Sequence, residues 1–345
     1  MSLSACAEIP GSESTGYVTR KELVKISCAS AILAVFLLST HELPAAESAM
    51  VNANGMALGE VTATEAGSEK SGEDEETNLA KQLANPISSL ISVPFQANED
   101  FGYGPSHNGY KFTLNIQPVI PISLTKDWNL ILRTIFPIVS QHDLFYVENV
   151  PKSLHIIQNR SQDGLSDTTQ SFFFSPKAPG PFGLIWGIGP ALLYPTGTHP
   201  LLGTGTFSIG PTVVVLKQMG GLTAGALMNQ LWSVATEEDR KSVSQMFLQP
   251  FLAYTTKTHT TFTLNTESTA NWNNPPGDAK WTVPLNFQVS QILKIGKQPI
   301  SIGVGGRYYA DSPRYGPDWG LRFIVTLLYP TGKPPAPVEK TGLVK

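Results

Sequence analysis

The stretch from Phe112 to Ile138, FTLNIQPVIPISLTKDWNLILRTIFPI, alternates apolar and polar residues with a period of two. This period is typical of β-strands, because successive side chains of a strand point to opposite faces. The residues Thr125–Asp127 interrupt the pattern, so two strands joined by a short turn are predicted. One face is almost entirely apolar; it carries Phe112, Leu114, Ile116, Pro118, Ile120, Ile122 and Leu124, then Trp128, Leu130, Leu132, Thr134, Phe136 and Ile138.

The medium that this apolar face contacts is not fixed by the alternation, because a protein core and a lipid bilayer select similar residues. Of the 345 residues, 41% are hydrophobic and only 15% are charged, and the formal net charge is −3. About 25% charged is usual in soluble proteins, whereas outer-membrane barrels combine apolar with small polar residues. Soluble all-β proteins can share this composition. The sequence has no basic patch, so nucleic acid is not an expected partner.

The amino-terminal residues 1–46 are predicted to be an extension followed by a secretory signal peptide. The basic segment Arg20–Lys25 precedes an apolar run, Ile26–Leu38, and small residues follow near Ala45. This order is the signature of a signal peptide, and the run is short for a membrane span. Both cysteines, Cys6 and Cys28, precede the expected cleavage point, so the exported chain is expected to contain no thiol.

Composition and turn signals divide the rest of the chain into four segments. They are an acidic disordered linker at 47–77, a short helix at 78–86 with Asn78 as its cap, a β-barrel at 87–330, and a flexible periplasmic tail at 331–345.

Twelve strand segments, separated by Gly, Pro and Asn signals, are predicted within the barrel region; the first is Ser88–Asn98 and the third is Trp128–Gln141. Most contain ten to fifteen residues, whereas soluble strands average about five or six and bilayer-crossing strands need about nine to eleven. Short connections alternate with long ones, as in outer-membrane barrels. The fold class predicted is all-β, a transmembrane antiparallel up-and-down β-barrel of about twelve strands with a short N-terminal helix. Ten or fourteen strands are alternatives, because three segments alternate weakly.

Several prolines fall inside the predicted strands, although a closed barrel has no free edge where a missing N–H is harmless. We expect bulges or strand ends at these positions. The prolines are Pro118, Pro121, Pro137, Pro190, Pro211, Pro250 and Pro284.

The polar face of the strands is rich in Asn, Gln, Ser, Thr and Gly, which suits a narrow lumen filled with water. Side chains that line a pore set its selectivity together with its diameter. The alternative is that these residues bind one another and close a structural barrel. The candidates for lining the lumen are Asn115, Gln117, Arg133, Asn265, Glu267, Asn286, Gln288, Arg307 and Arg322.

Three stretches resemble a family of proteobacterial outer-membrane proteins. They are LAKQLANPISSLISVPFQANEDFGYGP, LNIQPVIPISLTKDWNLILRTIFPI and GLSDTTQSFFFSP, and the similarity runs from Leu79 to Pro330. The family is grouped as transporters with the meta-pathway of phenol degradation, and some members carry the mistaken label neuromedin U. The resemblance implies an outer-membrane barrel that passes small compounds, aromatic or apolar ones among them. It implies no binding residue.

Catalytic and metal-binding patterns are not recognised in the sequence. The six histidines show no spacing typical of metal ligands, and no convincing set of serine, histidine and acid occurs. We therefore expect no enzyme activity, no catalytic residue, no metal and no cofactor.

The function expected from these patterns is passive passage of small molecules through the outer membrane. The expected partners are membrane lipids, a small solute and the barrel-assembly machinery. One alternative is a structural or adhesive outer-membrane barrel without a conducting pore. Another is a secreted, lipocalin-like binding barrel, whose interior would be apolar and whose outside would be polar.

Overall fold

The computed structural model describes residues 75–330, apart from 145, 151–152, 158–160, 239 and 276–277. The predicted signal peptide, residues 47–74 of the predicted linker, and the predicted tail lie outside the described residues. Among the described residues, a helix, α1, spans residues 75–83, and one turn of 3-10 helix spans Pro181–Gly183. None of the described helices is long and apolar enough to cross a bilayer.

Helix α1 differs from its predicted bounds at both ends. Glu75 to Thr77, which we assigned to the linker, are already helical, so Asn78 lies inside the helix instead of capping it. The helix ends at residue 83, and the Asn85 side chain then accepts a hydrogen bond from Ile87 N at 3.0 Å, which stabilises a turn.

Seventeen β-strands lie within the described part of the chain. They are β1 (Ile91–Tyr103), β2 (Gly109–Ile116), β3 (Val119–Ser123), β4 (Trp128–His142), β5 (Tyr146–Val150), β6 (Ser153–Ile157), β7 (Gln162–Leu165), β8 (Thr168–Pro176), β9 (Leu184–Tyr194), β10 (Thr206–Met219), β11 (Leu222–Thr236), β12 (Ser244–Thr255), β13 (Thr260–Thr266), β14 (Ser268–Asn271), β15 (Trp281–Ile295), β16 (Gln298–Asp311) and β17 (Trp319–Tyr329).

Fifteen of these strands form one sheet that closes on itself, because β1 pairs with β17 and β11 pairs with β12. Strands β2 and β3, β7 and β8, and β13 and β14 are each two parts of one interrupted strand, so twelve strands span the barrel. All pairs in the wall are antiparallel. The predicted twelve-stranded up-and-down barrel with a short helix is therefore confirmed.

The two ends of the barrel differ in the length of their connections. At the turn end, connections are short, such as 220–221 and 296–297, and both ends of the barrel wall, Ile91 and Tyr329, lie here as a pair. At the loop end, connections are longer, such as 195–205, and the one between β4 and β7 contains the hairpin β5–β6.

The outer surface of the wall is apolar and its inner surface largely polar. Phe287 is 54% exposed, whereas the neighbouring Asn286 is 1% exposed, and Phe323 and Arg322 differ in the same way. Among exposed strand residues are Ile188, Leu252, Leu264, Leu285, Val304 and Leu321. A soluble fold would bury such residues, so this arrangement is typical of a barrel whose outside faces hydrocarbon.

The prolines in the wall are accommodated in several ways. Pro190 and Pro211 lie opposite each other across β9 and β10, in a register without a shift. The neighbouring ladders lack pairs at both prolines. Pro137 faces a bulge with one extra residue between β7 and β8, and the β15–β16 register shifts between Val283 and Pro284. Some prolines therefore lie at bulges, as predicted. Others lie where a ladder of hydrogen bonds is interrupted, because proline has no N–H donor.

Helix α1 and the following segment pack inside the turn end of the barrel. Leu79 and Ala80 are buried in a cluster with Leu90, Ile292 and Leu328. The backbone oxygen of Lys81 accepts a hydrogen bond from Gln218 Nε2 at 2.8 Å. The segment before β1 is thus held against the wall by both apolar packing and polar contacts.

Candidate functional site

The lumen contains a cavity of ≈230 Å³, which is bounded at the turn end by the last turn of α1 and the residues after it. Strands from most of the wall contribute polar side chains, including Gln96, Gln249 and Thr263. Glu267 and Arg322 also line it. The cavity therefore lies where the inward faces of the strands converge.

A side-chain bridge made by Arg322 and Glu267, called the lumen bridge below, crosses part of the barrel interior. Arg322 Nη1 and Nη2 donate to the two carboxylate oxygens of Glu267 at 2.9 and 2.6 Å. Arg322 Nε donates to Asn98 Oδ1 at 2.7 Å. Strand β17 is separated from β13 and β14 on the wall by β16 and β15, so the two side chains meet within the lumen. A bidentate pair of this kind fixes geometry as well as charge.

The sequence places Glu267 in a break of the wall. It lies between β13 and β14, and the register on both sides puts it opposite Pro284. The other two interruptions also carry polar residues, Gln117-Pro118 and Ser166-Asp167. At each break, a residue released from regular strand pairing makes side-chain contacts of its own.

A second ionic group lies next to the lumen bridge on its loop-end side. Arg307 Nε lies 3.3 Å from Asp100 Oδ1, and both side chains are 8% exposed. These atoms form an ion pair without hydrogen-bond alignment, while Arg307 Nη2 donates to the Tyr309 hydroxyl at 2.9 Å. Gly320 lies between Asp100 and Arg307 in the register, and a Cβ there would lie 2.3 Å from Asp100 Oδ1. The absence of a side chain at Gly320 makes room for the pair.

Arg133 lines the cavity from β4. Its Nη2 donates to Gln117 Oε1 at 3.1 Å, and its cross-strand neighbour on β3 is Val119. Within the described part of the chain, Arg133 has this one side-chain hydrogen bond and no ion pair. Because a guanidinium carries five N–H donors, Arg133 keeps hydrogen-bonding capacity toward the cavity.

One side of the lumen is apolar instead of polar. Ile87, from the segment after α1, is buried against Ile131, Phe173, Val214 and Leu227. Phe251 packs against this cluster and also lines the cavity. The cavity consequently has a polar side with charged groups and an adjoining apolar side.

The structure brings six of the nine candidate residues around this cavity: Gln117, Arg133, Asn265, Glu267, Gln288 and Arg322. Asn286 donates to Asn265 Oδ1 at 2.8 Å beside it. Arg307 belongs to the ionic group with Asp100, and Asn115 lies on β2 opposite Gln96. Several candidates therefore contact one another, and contact with a solute stays a prediction for all nine.

Sequence reasoning missed Asn98, Asp100 and Tyr309. The predicted first strand ended at Asn98, whereas β1 continues to Tyr103. The polar alternation Gln96, Asn98, Asp100 was the available signal, since it places all three on one face.

An acidic side chain also organises the loop end. Asp167 Oδ2 accepts hydrogen bonds from Thr204 N and Thr204 Oγ1, both at 2.6 Å, and Oδ1 accepts one from Gly197 N at 3.0 Å. Arg240 donates to the backbone oxygens of Pro200, Gly203 and Thr204. These contacts hold the 195–205 connection against the mouth of the barrel. In the residues that the structure describes, no three His, Cys, Asp or Glu side chains group as metal ligands would.

Comparison with known proteins supports the fold but assigns the chain to no family. No protein-family model matches the chain, and no curated protein matches it in sequence. The structure is similar to an outer-membrane channel from Pseudomonas putida F1, with a TM-score of 0.50 and 12% identity, over 70% of this chain and 96% of the channel.

Two further barrels are more distant. The NanC porin gives a TM-score of 0.39 with 13% identity, over 69% of this chain and 98% of the porin. Outer membrane phospholipase A from Escherichia coli gives a TM-score of 0.37 with 11% identity, over 73% of this chain and 97% of the phospholipase. The similarity to the Pseudomonas channel is one of fold. The chain is therefore a closed, twelve-stranded β-barrel of the outer-membrane type.

Proposed function

We propose that this protein is a passive channel of the outer membrane for small solutes. The observation that carries the proposal is the cavity in the lumen, which is lined by polar side chains inside a wall whose outside is apolar. A wall of this kind contacts membrane lipids, and its insertion would use the barrel-assembly machinery of the outer membrane. The lumen then offers the solute a hydrophilic route.

The solutes that we propose are small, and include apolar or aromatic compounds. Two points support this class: the resemblance of the sequence to outer-membrane transporters, and the apolar side of the cavity at Val119 and Phe251. The volume of ≈230 Å³ lies below the roughly 300–1,000 Å³ of pockets for drug-sized ligands.

A second candidate function is a structural barrel without a conducting path. The lumen bridge, the Asp100–Arg307 pair and the buried residues of the segment 79–90 favour it, because all of them place side chains inside the barrel. Planar-bilayer conductance distinguishes the two functions. We expect small currents from the wild type and larger ones from a variant without residues 79–85, whose removal widens the turn end.

Absence of current in both proteins would overturn the channel and favour the structural barrel. Insertion into the outer membrane is tested separately. One measurement is extraction of the protein from outer membranes, and the other is the change in gel migration that folded barrels show on heating. A protein that stays monomeric in water without detergent would contradict membrane insertion and favour the secreted binding barrel.

A further inference from the structure

The charges that line the cavity do not balance. Its charged residues are Arg133, Glu267 and Arg322, two cations and one anion. Both oxygens of Glu267 accept hydrogen bonds from Arg322, so the charge of this carboxylate is already paired. One positive charge, that of Arg133, makes no direct ion pair with an acidic side chain among the described residues.

Apolar surface adjoins this free charge. Val119 is the cross-strand neighbour of Arg133, and Phe251 and Ile324 line the same cavity. Val119 is 8% exposed and belongs to the apolar cluster that Ile87 completes. A solute bound here would therefore meet a guanidinium at one end and hydrocarbon at the other.

We infer that the cavity is a binding site for a small monocarboxylate with an apolar body, whose carboxylate pairs with Arg133. This inference rests on the proposed function and names the solute class of the same cavity. A carboxylate satisfies guanidinium N–H donors that Gln117 leaves free, and charge-assisted hydrogen bonds of this geometry are strong. Monoanions balance the single excess charge, whereas dianions or cations would leave a net charge in a confined space. The hydrocarbon part gains from contact with Val119 and Phe251.

The probes that test the inference are benzoate and benzamide, which have nearly the same shape and differ in charge. Equilibrium dialysis of the purified full chain in detergent measures their affinities at neutral pH. We expect benzoate to bind at least about tenfold more tightly than benzamide, because a hydrogen bond to a charged group contributes more than a neutral one. Acetate, which lacks the apolar body, should bind about tenfold or more weakly than benzoate.

Variants locate the charge that is responsible. Arg133→Gln should lower benzoate affinity by about tenfold and leave benzamide affinity unchanged, whereas Arg133→Lys should keep a preference for benzoate. The matched control is Arg314→Gln, which removes the same charge from an exposed loop residue outside the cavity. The control should bind both probes as the wild type does.

Three results would overturn the inference: equal binding of benzoate and benzamide by the wild type, equal effects of Arg133→Gln and Arg314→Gln, or acetate binding as tight as that of benzoate. The first and third need no variant, so a misfolded variant does not remove the test. Carboxylate binding without conductance would contradict the channel function and support the binding site. Conductance without a preference for carboxylate would support the channel function and contradict the binding site.

Discussion

Glu267 lies opposite Pro284 in the barrel wall, at the break between β13 and β14. Because proline has no N–H, regular pairing stops at this point. The residue in the gap then reaches into the lumen and binds Arg322 through two hydrogen bonds. A defect in the backbone ladder thus positions one half of the lumen bridge.

The lumen bridge gives a prediction about stability. Arg322→Met leaves the Glu267 carboxylate without its partner, and removing one member of a buried pair costs about 3–5 kcal/mol. We expect the free energy of unfolding in detergent to fall by roughly this amount, as measured by denaturant titration. The double variant Arg322→Met/Glu267→Gln should lose less, because it removes both charges of the lumen bridge instead of leaving one unpaired. Single and double variants as stable as the wild type would show that the pair is solvated.

The orientation of the strands can be tested at two neighbouring residues. Leu264 is 54% exposed on the outside of β13, whereas Thr263 lines the cavity. With Cys6 and Cys28 replaced by serine, single cysteines at 264 and 263 can carry spin labels in reconstituted vesicles. We expect oxygen dissolved in lipid to relax the label at 264 and a water-soluble nickel complex to relax the label at 263. The reverse result would contradict a wall whose apolar face meets lipid.

Gly210 should tolerate no side chain. A Cβ at this position would lie 1.7 Å from the backbone oxygen of Gln230, a distance that forces the neighbouring strand to move. We expect Gly210→Ala to lower the free energy of unfolding by about 1–3 kcal/mol or more, as overpacking does. The yield of folded barrel, measured by heat-modifiable gel migration, should fall with it. Gly306→Ala is the matched control, since a Cβ there meets nothing within 4 Å. Equal yields of the two variants would contradict the close approach.

Asp167 should control the order of the 195–205 connection. Asp167→Ala removes the acceptor of three hydrogen bonds from Gly197 and Thr204, and bonds to charged groups are worth about 1.5–3 kcal/mol each. We expect protease cleavage within this connection to be faster by about tenfold or more. Asp163→Ala is the control, because Asp163 accepts one hydrogen bond, from Ser140 Oγ at 2.6 Å. Cleavage at the same rate in both variants would assign the order of the loop to Arg240 instead.

Much of the wall follows from local sequence. Trp128, Leu130 and Leu132 alternate with Asn129 and Ile131, and this period alone assigns a strand and its two faces. The bounds of β4, Trp128–His142, differ by one residue from the predicted segment that ended at Gln141. The bounds of α1 were predicted less well, since residues 75–77 are helical and the helix ends at residue 83 instead of 86; short helices have weak and variable end signals.

The sequence by itself determined that strands form, that about twelve of them build the barrel and which face is apolar where the alternation is strong, because these properties depend on residues two positions apart. Closure of the wall settled the count at twelve. Only the tertiary structure decided which inward side chains meet. Arg322 binds Glu267, 55 residues away, and Asn98, 224 residues away. These contacts depend on the register of every strand pair and on closure of the wall, neither of which local alternation encodes. Arg133 contacts Gln117, only 16 residues away, because the β3–β4 register brings the two side chains together.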